Sequence, residues 1–249
     1  MGELIPLFPL GTPLFPGVVL PLQIFEPRYR RLMQDLLSHP ESGDRRFFGV
    51  VAIRQGWEVE QVAPAEALYD IGCTARLRAV RPQSDGGFRI VTVGGDRFRL
   101  LDVVVGEDPP YLQAEVEWLD DQEPAVVPDT VEVLARSVRQ QFTRYVSEVA
   151  GLSLGRGDEG QGPGRGDAVD AETAVLVGAV SDDPTALSYL VASVALLTTE
   201  DRQALLAEPA TRRRLAAEFR LLRRELTLLQ ELGAVPASLH EFAAPMTVN

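Results

Sequence analysis

The sequence contains no lysine, so all 24 of its basic residues are arginine. Against 36 acidic residues, they leave a formal net charge of −12 over 249 residues. Such an acidic chain repels phosphate backbones and anionic lipid, which argues against general binding to nucleic acid or to anionic membranes. The lack of lysine also excludes the phosphate-binding loop G-x-x-x-x-G-K-[ST], because its lysine contacts the phosphates of the nucleotide.

Cysteine and histidine are scarce as well. Cys73 is the single cysteine, and His39 and His240 are the two histidines. An internal disulfide is therefore impossible, and the histidines do not have the spacing of a zinc site, so we expect neither a metal nor a cofactor. Cys73 alternates with Ile71 and Ala75 in a strand-like run, which predicts a buried small side chain rather than a nucleophile.

Long uninterrupted apolar runs are also missing. The most apolar stretch, PLFPLGTPLFPGVVLPLQIFEPRYRRL at residues 6–32, contains six prolines. A secretory signal requires a basic start and a continuous apolar helix, and a membrane span requires about 20 apolar residues in helical form, both of which proline disrupts. We therefore expect this stretch to remain in the mature protein and the chain to be cytoplasmic, without a membrane contact.

The first half of the chain has the pattern of short β-strands. Residues 111–119, YLQAEVEWL, alternate apolar and polar side chains with the period of two that is typical of a half-buried strand. Asp85-Gly86-Gly87 has the composition of a hairpin turn. Short strands at close spacing predict a closed barrel or a sandwich. The other predicted strands are residues 47–53, 71–80, 88–93 and 98–105.

The second half has the period of helices. Two prolines and four acidic residues at 120–129 indicate a linker, with Asp129 as the N-cap of the helix that follows. Residues 151–170 are rich in glycine and poor in apolar side chains, which predicts a mobile loop. Pro184 is expected in the first turn of a later helix. The predicted helices are residues 130–150, 171–180, 184–197, 200–207 and 210–232.

The last of these helices shows two apolar stripes. The first stripe steps by three and four residues and is expected to face the core, with arginines on the opposite side. The second stripe lies to one side and offers a surface on which a partner, or a second copy of the chain, could dock. Arg212–Arg214 are interspersed with Glu208, Glu218, Glu225 and Glu231, which is typical of a solvated helix face. The first stripe consists of Leu215, Phe219, Leu222, Leu226 and Leu229, and the second of Leu221, Leu228 and Leu232.

One motif has the sequence of a hydrolase nucleophile site but not the expected structural context. Gly151–Gly155 match the G-x-S-x-G nucleophile elbow, and Asp182, Asp183 and His240 follow Ser153 in the order of a hydrolase triad. An elbow requires a strand before the serine and a helix after it, whereas Ser153 follows a predicted helix and enters a glycine-rich loop. A hydrolase is therefore not favoured. The Arg-Gly-Asp triplets at 156–158 and 165–167 arise from the composition of the same loop.

The opening stretch resembles a known family. IPLFPLGTPLFPGVVLPLQIFEPRYRRLM is similar to the start of the N-terminal, substrate-binding domain of Lon proteases, with its L-F-P-G turn at Leu14–Gly17 and its P-L-x-I-F-E-x-R-Y motif at Pro21–Tyr29. Three later segments fit the same family, and the resemblance extends over about residues 4–232. They are IGCTARL at 71–77, GFRIVTVGGDRFRLL at 87–101 with its G-x-x-R-F turn, and the helical stretch at 181–215.

The resemblance implies an α+β fold, with a PUA-like β-barrel followed by a helical bundle. The expected boundaries are a barrel at 1–120, a linker at 121–129, a helical subdomain at 130–235 that includes the loop at 151–170, and a tail at 236–249. The ATPase and serine-lysine peptidase of a full Lon protease could not fit after residue 232, and both need a lysine that the chain lacks. We therefore expect a protein that is not an enzyme.

Three functional hypotheses follow. The resemblance favours a recognition module that binds unfolded or degron-bearing polypeptides, or a separate protease or chaperone. An assembly or regulatory subunit that docks through Leu221, Leu228 and Leu232, on a partner or as a homodimer, is the alternative. RNA binding by the PUA-like barrel is disfavoured by the acidic charge.

Five residues of the opening stretch are the candidate polypeptide contacts. Prolines at this density remove backbone donors, so some apolar side chains of the stretch could line a groove instead of filling the core. The competing interpretation is that Phe15, Phe25 and Tyr29, together with Ile24, only cap the barrel. The candidate contacts are Phe15, Phe25, Glu26, Arg28 and Tyr29.

Overall fold

The computed structural model describes residues 2–38, 46–54, 65–106, 108–121, 128–155 and 183–232. The chain divides into two compact units. The first combines Met1–Gln122 with Arg202–Pro209, and the second combines Glu123–Asp201 with Ala210–Asn249. The described part of the fold is mixed α and β, with one six-stranded sheet.

The first unit is built on strands β1 to β6, whose pairing closes on itself. Strands β5, β4, β3, β1 and β6 are neighbours in that order, and β6 pairs again with β5, so these five strands form a ring. Strand β2 lies outside the ring and pairs with the first half of β5. The strand bounds are β1 Glu3–Leu10, β2 Val19–Ile24, β3 Phe47–Ala52, β4 Ile71–Pro82, β5 Phe88–Val104 and β6 Gln113–Leu119. Helix α1, Pro27–Ser38, follows β2, and a 3-10 turn spans Ala65–Ala67.

Strand β5 is a single long strand, so the prediction of two strands at 88–93 and 98–105 was wrong. It continues through Gly94 and Gly95, where the turn was expected, and exchanges partners as it does so. Its first half pairs with β2 and its second half with β6, while β4 follows both halves across register shifts at Cys73/Ala75 and Leu77/Ala79. The glycines allow a bend rather than a turn, because neither adopts a positive φ.

The ring encloses a core of side chains that alternate along their strands. Leu112, Ala114 and Val116 of the 111–119 segment are buried as predicted, whereas Trp118, which continues the alternation, is 39% exposed. Cys73 is fully buried, which also agrees with the sequence, and burial raises the pKa of its thiol. This core consists of Ile5, Leu7, Val51, Ile53, Leu68, Phe98, Leu112, Ala114 and Val116.

The second unit is helical where the structure describes it. Its helices are α2 Pro128–Gly155, α3 Pro184–Val194, the first turn of α4 Thr199–Ala207, and α5 Thr211–Leu232. Helix α2 begins at Pro128, so Asp129 lies inside the helix and is not its N-cap, and the helix continues through Gly151–Gly155, which were assigned to the loop. Helix α3 has Pro184 in its first turn, as predicted, and Asp183 caps it by accepting the Thr185 N–H at 2.8 Å.

The first leucine stripe of α5 forms the core of the second unit. Leu215, Leu222, Leu226 and Leu229 are buried there, and Phe219 packs against them half-buried, as the sequence predicted. Helices α2 and α3 contribute the rest of this core. Their buried members are Val131, Ala135, Val138, Phe142, Tyr145, Leu187 and Val191, with Ala195 just after α3.

The expected solvated face of α5 was wrong for Arg214, Glu218 and Glu225, each of which is at most 1% exposed. The Arg214 guanidinium donates hydrogen bonds to the Ser188 hydroxyl at 2.7 Å and to Thr211 at 3.3 Å, and lies 3.9 Å from the centre of the Tyr189 ring. These partners replace water around the charge, which is why an arginine is tolerated inside the helical core.

The segment 202–209 groups with the first unit, although it was expected in the helical subdomain. Gln203 donates a 2.8 Å hydrogen bond to the backbone carbonyl of Ile71, and Arg202 donates to the Thr12 hydroxyl at 3.0 Å. The Leu206 carbonyl accepts a 2.9 Å hydrogen bond from buried Arg97. These contacts, which join residues more than a hundred positions apart, are not visible in a helical period. The other predicted domain boundaries stay predictions.

Candidate functional site

The L-F-P-G turn is a structural element that attaches to strand β5. Gly17 adopts a φ of 75°, which favours glycine, and its N–H donates to the Gly94 carbonyl at 2.9 Å. Gly94 in turn donates to the Val18 carbonyl at 2.9 Å. The Phe15 carbonyl lies so close to Gly94 that a Cβ there would be 1.9 Å from its oxygen. Phe15 itself is 1% exposed, so it fills the core and offers no contact surface.

The corner between β2 and α1 is held together internally. Glu26 and Arg28 form an ion pair at 2.8 Å, and the Arg28 guanidinium lies 4.6 Å from the centre of the Tyr29 ring. Tyr29 is 3% exposed because it stacks on Phe8, with the ring centroids 3.9 Å apart. Four of the five candidate contacts therefore build or support the turn and corner.

Phe25 differs from the other four candidates because its side chain is 56% exposed. It follows Ile24, which is buried and pairs with Phe88 at the end of β2. Of the apolar side chains that were expected either to cap the barrel or to line a groove, Phe15, Ile24 and Tyr29 are buried, and Phe25 is the member that solvent reaches.

An exposed face lies across strands β2, β5 and β4, and the sequence did not reveal it. In an antiparallel ladder, directly paired residues point to the same side of the sheet. Val19, Pro21 and Gln23 of β2 pair with Val93, Val91 and Arg89 of β5, which pair with Arg76, Ala79 and Arg81 of β4. We call these nine residues the β2–β5–β4 face. Its rows across the strands are Val19–Val93–Arg76, Pro21–Val91–Ala79 and Gln23–Arg89–Arg81.

The middle of this face is apolar and exposed. Val19 is 59% exposed and Val91 38%, and Pro21 and Ala79 between and beside them are also exposed. The opposite side of the same ladder is buried at Ile24, Ile90 and Thr92. The face is therefore the outer surface of a ladder whose other side is buried. Monomeric proteins usually keep the area of such exposed apolar patches small.

Strand β2 has an unpaired edge in the described sheet, and Pro21 lies on it. The Gly94 N–H donates to the Val18 carbonyl, and the Thr92 hydroxyl donates to the Leu20 carbonyl. The backbone N–H and C=O groups of the even-numbered residues of β2 therefore point toward β5, and those of the odd-numbered residues point toward the unpaired edge. Pro21 therefore lacks a donor where an added strand would need one, which makes the edge a poor template and leaves the face as the better binding surface.

The predicted docking stripe on α5 is only partly accessible. Leu221 and Leu228 are half-buried, and Leu232, in the last turn, is 68% exposed. The structure therefore offers a partner one fully accessible leucine from this stripe.

The remaining candidate chemistry gains no support. Ser153 lies within α2, so the strand that a nucleophile elbow needs before its serine is replaced by helix. His39, His240, Asp182 and both Arg-Gly-Asp triplets lie outside the described residues. In the described ranges, no three potential ligands are grouped to hold a metal ion. None of the described helices has the length and apolar character needed to cross a membrane.

Comparison with known proteins places these features in a family. A profile of the ATP-dependent protease La (LON) substrate-binding domain matches residues 4–224. Lon protease 1 of Herpetosiphon aurantiacus is 29% identical over 222 residues, and Lon protease 2 of Syntrophobacter fumaroxidans is 30% identical over 217 residues. These matches cover 89% and 87% of this chain but only 24% of each relative.

Solved structures support the same fold. A Lon N-terminal domain protein from Xanthomonas campestris aligns with a TM-score of 0.56 at 21% identity, covering 89% of this chain and 98% of that one. The N-terminal domain of a Mycobacterium avium complex Lon protease aligns with the same TM-score and coverage at 17% identity. At these identities, the likeness concerns the fold alone.

Proposed function

Because this chain belongs to the family of the ATP-dependent protease La (LON) substrate-binding domain, we propose that it recognises polypeptides in an extended or unfolded state without catalysing a reaction on them. The observation that carries the proposal is the exposed apolar centre of the β2–β5–β4 face, formed by Val19, Pro21 and Val91, with Phe25 at the end of β2. An unfolded chain exposes the apolar side chains that such a surface can cover, whereas a native protein buries them.

The finer parts of the proposal rest on the family resemblance. They are that the five-stranded ring is a PUA-like barrel, that the second unit is a helical bundle, and that bound polypeptides include degron-bearing clients passed to a separate protease or chaperone. The chain spans 24% of the Lon proteases quoted above, so what those proteins do as a whole comes to this chain only as a proposal.

Fluorescence anisotropy with a labelled, reduced and alkylated model protein tests the proposal. The wild type is expected to bind the unfolded form at micromolar concentration and not its native, oxidised form. Val19→Thr/Val91→Thr keeps the β-branched shape but adds hydroxyl groups to the face, and should weaken binding about tenfold, since each 1.4 kcal/mol is a factor of ten.

The matched control is Val105→Thr, which changes a valine that is 72% exposed and lies just beyond the end of β5. It should bind like the wild type. Equal affinity for the native and unfolded forms, or no loss of binding in the double variant, would contradict recognition through this face.

The alternative hypothesis is an assembly subunit that docks through the second stripe of α5. Its support is the exposed Leu232 together with half-buried Leu228 one turn earlier. Light scattering of the wild type and of Leu228→Glu separates the hypotheses, because only the assembly role predicts a smaller mass for the variant.

A further inference from the structure

Two arginines lie directly opposite each other on the β2–β5–β4 face. Arg81 of β4 and Arg89 of β5 are register partners, and Gln23 of β2 completes their row. Both side chains are exposed. Like charges directly across two antiparallel strands destabilise the pairing, so this arrangement needs a compensating contact or a reason outside stability.

Neither arginine has a compensating acid in the described part of the chain, where no ion pair or side-chain hydrogen bond joins them to a carboxylate. The protein as a whole is acidic, with 36 acidic residues against 24 basic ones. Two other arginines of the same sheet are paired, Arg76 with Asp96, and Arg99 with Glu117 at 2.7 Å. The pair is therefore a local positive site on an acidic protein.

The position of the pair relates it to the apolar centre. Arg89 precedes Val91 by two residues on β5, and Arg81 follows Ala79 by two residues on β4, so the charged row is the next row along the same face. Residues two apart on a strand are about 6.6 Å apart, which is also the spacing of side chains on one side of an extended peptide. An extended segment that runs along β5 on this face would place an apolar side chain on Val91. Its side chain two residues away would then lie near the guanidinium groups of Arg81 and Arg89.

We propose that the Arg81–Arg89 pair selects polypeptide segments that carry an aspartate or glutamate beside their apolar residues. This inference rests on the proposed function and adds the chemical class of its ligand. A guanidinium donates two parallel hydrogen bonds to a carboxylate, and an incoming carboxylate would relieve the repulsion between the two arginines.

The negative net charge of the protein makes a preference for acidic peptides a specific sign of a local positive site. A chain with a net charge of −12 repels an acidic peptide at long range, so a preference for glutamate over glutamine has to come from a local positive site. The probes are dye-labelled peptides of alternating valine and leucine in which two outer positions are both glutamate or both glutamine. Wild-type protein should bind the glutamate peptide about fivefold more tightly at low salt, since two solvent-exposed ion pairs contribute modestly.

Arg81→Gln/Arg89→Gln should abolish this preference, so that the variant binds the glutamate and glutamine peptides with the same affinity. Arg99→Gln is the control, because it removes one positive charge from an exposed arginine of β5 away from the apolar centre, and it should keep the preference. The preference of the wild type should also fall as sodium chloride is raised from 50 to 500 mM, because salt screens exposed charges. Far-ultraviolet circular dichroism and thermal melting verify that each variant is folded.

The outcomes separate the two proposals. If the wild type binds both peptides equally, or if the double variant retains the preference, the inference fails while the proposed function stands. If neither peptide binds but the unfolded model protein does, the inference fails alone. If none of the three binds, both proposals fail.

Two other ligands of the Arg81–Arg89 pair, RNA and a second copy of the chain, are also tested. Binding of a single-stranded RNA oligonucleotide that is lost in the double variant would assign the arginines to nucleic acid. A smaller mass of the double variant in light scattering would assign them to a second copy of the chain. Either result overturns the inference.

Discussion

The Arg97 guanidinium donates a 2.9 Å hydrogen bond to the backbone carbonyl of Leu206, which lies 109 residues further along the chain. The same side chain, 2% exposed, donates to the Asp120 carbonyl at 3.3 Å and forms an ion pair with Asp121 at 2.7 Å. Arg97 thus joins β5 to the end of β6 and to α4. This buried charge therefore contributes, with the contacts of Arg202 and Gln203, to holding the segment 202–209 in the first unit.

Arg97→Met should therefore destabilise the protein. The substitution keeps a long apolar stem but leaves two carbonyls and one carboxylate without their donor, so the free energy of unfolding should fall by about 3 kcal/mol. Urea denaturation measures the change. Arg99→Met, which removes an exposed ion pair from the same strand, should change it by less than about 0.5 kcal/mol. Similar losses of stability in both variants would refute this role of Arg97.

Substitutions of Tyr29 and Phe25 should have different effects, the first on stability and the second on binding. Tyr29 stacks on Phe8 in the core, so Tyr29→Ala should lower the free energy of unfolding by about 3 kcal/mol, whereas Phe25→Ala should change it by less than about 0.5 kcal/mol. Phe25→Ala should instead weaken binding to the unfolded model protein. Thermal melts and anisotropy on both variants provide the comparison. A stable Tyr29→Ala protein with a selective binding defect would restore Tyr29 as a direct contact.

Gly94 should not accept a side chain. A Cβ there would lie 1.9 Å from the Phe15 carbonyl oxygen, a backbone atom that cannot rotate away, so Gly94→Ala should cost about 2 kcal/mol or more. Gly151 is the control, because it is exposed in helix α2 with nothing within 4 Å of the added Cβ. Gly151→Ala should stabilise the protein by about 0.5 to 1 kcal/mol. Chemical denaturation of both variants would reveal whether the turn really packs this closely on β5.

Glu218 should make stability depend on pH. Burial raises the pKa of its carboxyl well above the ordinary value of 4.5, and the nearby Arg214 charge lowers it only in part. Between the unfolded and folded pKa values, the native state holds a proton that the unfolded state has lost, so stability falls as pH rises through this interval. Glu218→Gln cannot ionise and should lose this dependence.

Urea denaturation of the wild type and Glu218→Gln between pH 4.5 and pH 8 tests this expectation. The wild type should lose stability relative to the variant as pH increases. Parallel pH profiles would show that folding does not raise the pKa of this carboxyl.

Patterns local in sequence predicted most elements of the fold. The alternation at 111–119 predicted β6, and the three- and four-residue steps from Leu215 to Leu229 predicted the buried stripe of α5, because both depend only on the geometry of one element. The error at β5 has the same origin. Gly94 and Gly95 look like a turn in sequence, and only the neighbouring Phe15 backbone and the change of partner strand explain why the chain passes straight through them.

The candidate site was less predictable. The opening motif directed attention to Phe15, Glu26, Arg28 and Tyr29, yet these residues build the turn and the corner, and Phe25 alone of the five is an exposed apolar side chain. Arg214 and Glu218 were interpreted as solvated because charged side chains are normally exposed to solvent. Arg214 is buried against Ser188 and Tyr189, which belong to another helix.

By itself, the sequence determined that the chain has no membrane-type apolar run, that strands precede helices, and that it resembles the Lon substrate-binding family, because composition, period and motif are properties of a linear chain. Only the tertiary structure decided that Val19, Pro21 and Val91 share an exposed face, and that Arg81 lies opposite Arg89. Strand register sets such relationships, and bulges such as the one at Leu77/Ala79 shift it by single residues. A shift of one residue moves a side chain to the other side of the sheet.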